Sequence, residues 1–197
     1  MTTFTRTEKL KHLLSLPVIV AALGYFVDIY DLLLFGIVRV PSLIELGMNV
    51  DQDGTTILNF QMTGLLVGGI LWGVLGDKKG RLSVLFGSIL VYSLANIACG
   101  FLPQFPMEDK VMLYAVLRFI AGVGLAGELG AGITLVAESL PKELRAIGTS
   151  IVAGFGLLGA VVAQLTVELA GSWTIAYFIG GAMGLALLLL RIGVVES

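Results

Sequence analysis

Four ionisable residues lie inside stretches otherwise suited to hydrocarbon. Asp28 and Asp31 interrupt G-Y-F-V-D-I-Y-D-L-L-L-F-G at 24–36, and Arg118 and Glu128 interrupt the apolar run at 111–137. An aspartate at the centre of a spanning helix is disfavoured by about 2.5 to 3.5 kcal/mol, against about 0.3 to 0.6 gained per Leu, Ile or Phe. Residues that costly are expected to do chemistry. Asp28 follows Tyr25 by three positions and precedes Asp31 by three, so a helix gathers the three on one side. Carboxyl groups placed beside one another and away from bulk water are suited to taking up and releasing a proton. A guanidinium matches the geometry of carboxylate or phosphate, so Arg118 either binds an anionic substrate or pairs with an aspartate to tie two helices together. Asp28, Asp31 and Glu128 are expected to face a central aqueous cavity with Arg118 nearby, where water and a cation replace bulk hydration.

The elements that must position these groups are membrane helices. The chain has 197 residues, 57% of them hydrophobic and 13% charged, and a mean hydropathy of +0.98, which is too apolar for an ordinary soluble domain. With a net charge of −2 there is no basic stripe to argue for nucleic acid as a partner. Cys99 and His12 are the only residues of their kinds, which leaves neither a disulfide framework nor a zinc cluster. No set of nucleophile, base and orienting group points to an enzyme, and no cofactor is expected beyond protons as the coupling ion.

Apolar runs of spanning length fall at 14–40, 55–75, 82–102, 111–137, 147–168 and 173–192, after a polar tail at 1–12. The fold expected is an all-α bundle of six transmembrane helices over 13–197. Arg6, Lys9 and Lys11 precede the first run in the manner of a secretion signal, but that run continues past Val38 with no cleavage site, so it reads as the first spanning helix. Of the 12 basic residues, nine (Arg6, Lys9, Lys11, Lys78, Lys79, Arg81, Lys142, Arg145 and Arg191) fall on the side of the N-terminus and two (Arg39 and Lys110) on the other, with Arg118 inside the fourth span. Basic loops stay in the cytoplasm, so both termini are expected there, in a multi-pass protein of the plasma membrane or bacterial inner membrane. The interior charges fall in the first and fourth spans. Those positions are equivalent if the six helices form a 3+3 inverted repeat with a binding site where the triplets meet. Most of the 26 glycines cluster within the spans and let helices approach closely.

Two cytoplasmic stretches carry finer patterns. G-V-L-G-D-K-K-G-R at 73–81 joins the second and third spans, and Gly80 permits a tight turn there. It resembles the G-x-L-x-D-x-x-G-R loop of the major facilitator superfamily, with Gly73, Asp77, Gly80 and Arg81 in register. R-F-I-A-G-V-G-L-A-G-E from 118 and E-S-L-P-K-E-L-R at 138–145 resemble the same superfamily's fourth-helix arginine motif and its E-x-x-P-x-x-x-R segment. The resemblance implies a cytoplasmic gate of Asp77, Arg81, Glu138 and Arg145, closed while the protein is open to the outside. The glycines of G-V-G-L-A-G at 122–127 match a dinucleotide-binding pattern, but that motif needs a preceding strand and here lies within a membrane span.

Within the superfamily, the first-span and fourth-span stretches are most similar to phosphate:proton symporters, metabolite:proton symporters and organic-ion transporters. Ala126 and Leu129 depart from that pattern, where Gly and an aromatic are usual. The function this implies is proton-coupled symport of a small anionic or polar metabolite by alternating access, with Asp28, Asp31, Arg118, Glu128 and Tyr25 binding substrate or proton. The superfamily usually has twelve helices, so the expected partner besides lipid and substrate is a C-terminal six-helix half, or a second copy in a homodimer. The alternative is a membrane receptor or assembly partner of the same fold that does not transport.

Overall fold

The computed structural model describes residues 5–106 and 108–195. A short helix, α1 (Arg6–Leu13), leads into α2 (Leu16–Glu45), α3 (Gln52–Lys79), α4 (Arg81–Gly100), a 3-10 turn (Leu102–Gln104), α5 (Lys110–Ser139), α6 (Arg145–Ala170) and α7 (Trp173–Val195). Helices α2 to α7 are each long and apolar enough to cross a membrane. Among the described residues there is no strand.

The helix ends follow local chemistry. Thr5 and Glu8 close a capping box on α1, and the Asp109 carboxylate accepts from the Met112 N–H at 3.0 Å to start α5. Gly80 alone separates α3 from α4, with φ +85° and ψ 153°, a conformation closed to residues with a Cβ. Pro41 lies inside α2 rather than at its end. Proline removes one backbone bond near the helix terminus, and the apolar surface of Leu43, buried at 0% exposure, holds the last turn in place.

The six long helices form two triplets, α2–α4 and α5–α7, whose contacts repeat when the triplets are exchanged. Helix α3 packs along α5 as α6 does along α2, α4 lies on α5 as α7 lies on α2, and the pairs α2–α5 and α4–α7 close the centre. The flanking helices α3 and α6 each bury one narrow stripe: Gly54, Ile57, Gln61, Gly64 and Gly68 on α3, and Gly148, Val152, Gly156, Gly159 and Ala163 on α6. That is helical spacing of small residues, and its reason is contact with main chain. A Cβ at Gly64 would run into the Phe119 carbonyl of α5, and one at Gly159 into the Phe26 carbonyl of α2. The remaining faces of α3 and α6 expose Leu66, Ile70, Leu157 and Leu169, apolar side chains suited to lipid or to another protein surface.

Two apolar clusters tie the opposite ends. At one end Leu13 packs with Val18, Val136, Leu140 and Val152. At the other, Phe35, Tyr114, Trp173 and Tyr177 stack edge to face. The Trp173 indole N–H donates to Glu45 at 2.7 Å there, joining the end of α2 to the start of α7.

Candidate functional site

The four charged residues of the first and fourth spans converge between α2, α4, α5 and α7, and each is at most 2% exposed. They do not line an open face. The cavity-facing arrangement expected from the sequence is replaced by full enclosure within the six helices, because α4 and α7 close over the α2–α5 contact.

Arg118 is held by four hydrogen bonds to three groups. Its Nε and Nη2 donate to Gln61 Oε1 at 3.2 and 3.1 Å, Nη1 donates to Asn96 Oδ1 at 2.9 Å, and Nη2 donates to the main-chain carbonyl of Asp31 at 3.3 Å. The guanidinium carbon also lies 5.5 Å from the Tyr177 ring centre and 6.0 Å from that of Phe35. Gln61 donates onward to the Leu32 carbonyl at 3.2 Å. Arg118 therefore braces α2, α3, α4 and α5 from within, with four of its five N–H donors on protein acceptors among the described residues. Of its two readings, direct anion binding and helix tying, this geometry expresses the second, through the Asp31 carbonyl rather than the carboxylate. The Asp31 carboxylate lies beside Arg118 and the Asn96 side-chain amide.

A second charge centre lies toward the other end of α2. Glu128 pairs with Arg191 of α7 at 2.5 Å and accepts from the Tyr92 hydroxyl at 3.1 Å, while Asp28 faces Glu128 and Arg191. Gly24, one turn before Asp28, makes the room: a Cβ there would lie 2.7 Å from Glu128 Oε1 and would meet the Arg191 guanidinium. Arg191, grouped by sequence with the basic residues of the N-terminal side, is 6% exposed and points into the bundle. The sixth span thus carries near its end a buried charge that was counted with the basic residues of the cytoplasmic side. Its signal was available: L-L-L-L-R-I-G-V-V is as apolar around Arg191 as V-L-R-F-I is around Arg118. Tyr92, Ser93 and Asn96, polar residues spaced along one side of α4, were the other signal.

The remaining candidates fall elsewhere. Tyr25 is half-buried and its ring packs against Gly156 of α6 rather than beside the carboxyls. Gly73 and Asp77 are exposed near the end of α3, and Glu138 is exposed at the end of α5. The side chain of Arg81 lies outside the described residues. Arg145 donates from Nε to the Leu140 carbonyl at 3.1 Å, which ties the start of α6 back to the end of α5. The glycines of the dinucleotide-like pattern serve packing: Gly122 takes the Gln61 carbonyl and Gly124 the Tyr92 backbone.

The family model described as Major Facilitator Superfamily matches residues 21–196. Among curated proteins, a niacin transporter of Acinetobacter baylyi is 30% identical over 82% of this chain and 36% of its own length. A sialic acid transporter of Escherichia coli is 30% identical over 90% of this chain and 43% of its own. A shikimate transporter of the same organism is 30% identical over 90% and 46%. The chain spans less than half the length of these relatives, which are named as transporters and not as enzymes.

Proposed function

Because the chain belongs to the major facilitator superfamily, we propose that it is one six-helix half of a secondary transporter that couples a proton to a small organic anion by alternating access. The observation that carries this reading is a charge count. Asp28, Asp31 and Glu128 face Arg118 and Arg191 in an enclosed core, so three carboxylates meet two guanidiniums. Fully ionised, the cluster holds one uncompensated negative charge, which is costly away from water. A single proton makes it neutral. Gaining and losing that proton changes the electrostatic energy of the contacts among α2, α5 and α7, and a transporter needs such a bias between two states.

The names of the relatives are consistent with a small anion as the cargo, inorganic phosphate among them. Niacin, sialic acid and shikimate are each carboxylates at neutral pH, which supports a small organic anion as the cargo. With Arg118 committed internally, the substrate meets this half at its surface and gains its remaining contacts from a second six-helix half, or from a second copy of this chain. The basic-residue distribution supports cytoplasmic termini and a plasma or bacterial inner membrane. On that topology Asp77, Arg81, Glu138 and Arg145 lie at the cytoplasmic end, where the gate reading puts them.

The test is uptake of radiolabelled nicotinate, shikimate and sialic acid by the full-length carrier in proteoliposomes. An inward proton gradient is expected to drive accumulation of one of them. Asp28→Asn and Asp31→Asn are expected to abolish driven accumulation while counterflow exchange continues. Full retention of driven uptake in both variants removes these residues from coupling.

A further inference from the structure

The short helix α1 takes no part in the charge centres of the core, and residues 5–12 are all exposed. Three of them, Arg6, Lys9 and Lys11, are basic. The one acidic residue among them, Glu8, is engaged by the Thr5 cap, whose backbone N–H and hydroxyl each donate to its carboxylate at 2.8 Å. Leu13 packs against Leu140, which brings α1 beside the 138–145 segment. That segment is balanced, with Lys142 and Arg145 against Glu138 and Glu143, so the excess positive charge at this edge comes from α1.

Apolar side chains share the surface. Leu10 and Leu14, one turn apart, are 50% and 63% exposed, and Leu16 and Ile19 at the start of α2 follow at 51% and 43%. Leu13 turns inward instead, against Val18, Val136, Leu140 and Val152. Ser15, extended at φ −66° and ψ 150°, breaks the helix between α1 and α2 where the chain enters its first span. At about 100° per residue, Arg6 and Lys11 fall about 60° and 80° to either side of the Leu10–Leu14 edge. Lys9 lies farther round on the Arg6 side, and Glu8 and His12 fall on the far side.

A leucine edge flanked by cations, with the carboxylate turned away, is the surface of a helix that lies in the plane of a bilayer. Two turns persist poorly on their own in water, so the capping box at one end and Leu13 at the other leave the middle of α1 to be held by what it lies on. We propose that α1 is an interfacial helix that docks on anionic lipid headgroups. Leu10 and Leu14 enter the bilayer surface beside the first turn of α2, and Arg6, Lys9 and Lys11 meet the lipid phosphates. Lipid is the occupant because the exposed leucines run on into a helix that spans the membrane, and because the charge complements an anionic leaflet. Through Leu13 the docked helix is tied to Val136 of α5 and Val152 of α6. Docking of this kind needs neither proton coupling nor a particular substrate.

The test is backbone hydrogen exchange, read by mass spectrometry, on the full-length carrier in nanodiscs of phosphatidylcholine, with and without phosphatidylglycerol. The Lys9 and Leu14 amides, bonded to the Thr5 and Leu10 carbonyls at 3.0 and 2.9 Å, bound the stretch to be followed. Each basic residue at an anionic surface is worth about fivefold in binding, so phosphatidylglycerol is expected to slow exchange of this stretch at least about tenfold. In a triple variant carrying Arg6→Gln, Lys9→Gln and Lys11→Gln, all at exposed positions, the two bilayers are expected to differ by less than about twofold. Equal exchange of the native protein in the two bilayers overturns the proposal, and so does slowing that persists in the triple variant. Inorganic phosphate added to the phosphatidylcholine nanodiscs is expected to leave exchange unchanged; slowing there assigns the cations to a soluble anion and overturns the lipid. Leu10→Ser combined with Leu14→Ser is expected to lose most of the slowing, and an undiminished effect overturns the inserted arrangement.

Discussion

Replacing Arg118 with methionine keeps most of the side chain's bulk and removes its charge and donors. Two costs then follow. The acceptors on Gln61, Asn96 and the Asp31 carbonyl lose their donor, and at about 0.6 kcal/mol for an interhelical bond in a membrane protein the three come to about 2 kcal/mol. The second cost is electrostatic: three buried carboxyls then face one guanidinium, and removing one partner of a buried charge pair is worth about 3 to 5 kcal/mol. These overlap, so Arg118→Met is expected to destabilise by about 3 to 5 kcal/mol in total. Adding Asp31→Asn removes the unbalanced charge while leaving the orphaned acceptors, so the double variant is expected to recover to about 2 kcal/mol. The assay is SDS-induced unfolding of the purified carrier in mixed micelles, followed by tryptophan fluorescence from Trp72 and Trp173. A loss under about 1 kcal/mol for Arg118→Met, or no recovery in the double variant, refutes the view of Arg118 as the internal brace of α2 and α5.

Three further outcomes follow from the packing and the caps. Gly159→Val drives a side chain into the Phe26 carbonyl and is expected to cost about 1 to 3 kcal/mol, whereas Gly154→Ala, with nothing within 4 Å of its Cβ position, is expected to be neutral in the same unfolding assay. Gly80→Ala forces φ +85° on an alanine and is expected to destabilise the α3–α4 junction by about 1 to 3 kcal/mol, measurable as faster proteolysis between Lys79 and Arg81. The bonds from Thr5, its backbone N–H first and its hydroxyl second, hold the Glu8 carboxyl below its ordinary value of 4.5. The α1 cap is therefore complete above that value and lost as pH falls through the lowered one, which the amide shifts of Thr5 and Glu8 in an NMR titration will report. Thr5→Ala is expected to abolish that titration shift.

Much of the architecture was legible along the chain. Six spans, a tight turn at Gly80, and the clustering of glycine in α3 and α6 follow from hydropathy and composition, because a bilayer imposes length and a close helix contact imposes glycine, whereas the narrowing of the 76–81 loop to Gly80 alone appears only in the structure. That Asp28, Asp31, Arg118 and Glu128 all lie within the core, away from lipid, was expected, since charge in hydrocarbon must find charge or water, but their division into two centres, one around Arg118 and one around Arg191, was not. The groups that hold Arg118 were harder to reach. Gln61 and Asn96 lie 57 and 22 residues away in sequence, and either was equally suited to a bond within its own helix pair.

What the sequence determined by itself is therefore the set of spans and the costly residues within them, because the price of a charge in lipid is a local property of each helix. The tertiary structure decided which way each charge faces. Arg191 stands near the end of α7, where an arginine reaches outward to the membrane surface or inward to a partner with similar ease. The choice depends on Glu128 being 2.5 Å away and on Gly24 leaving space for the guanidinium. Neither condition exists until α2, α5 and α7 have packed, and the same packing closes α4 and α7 over the aspartates that the isolated first helix would have left open.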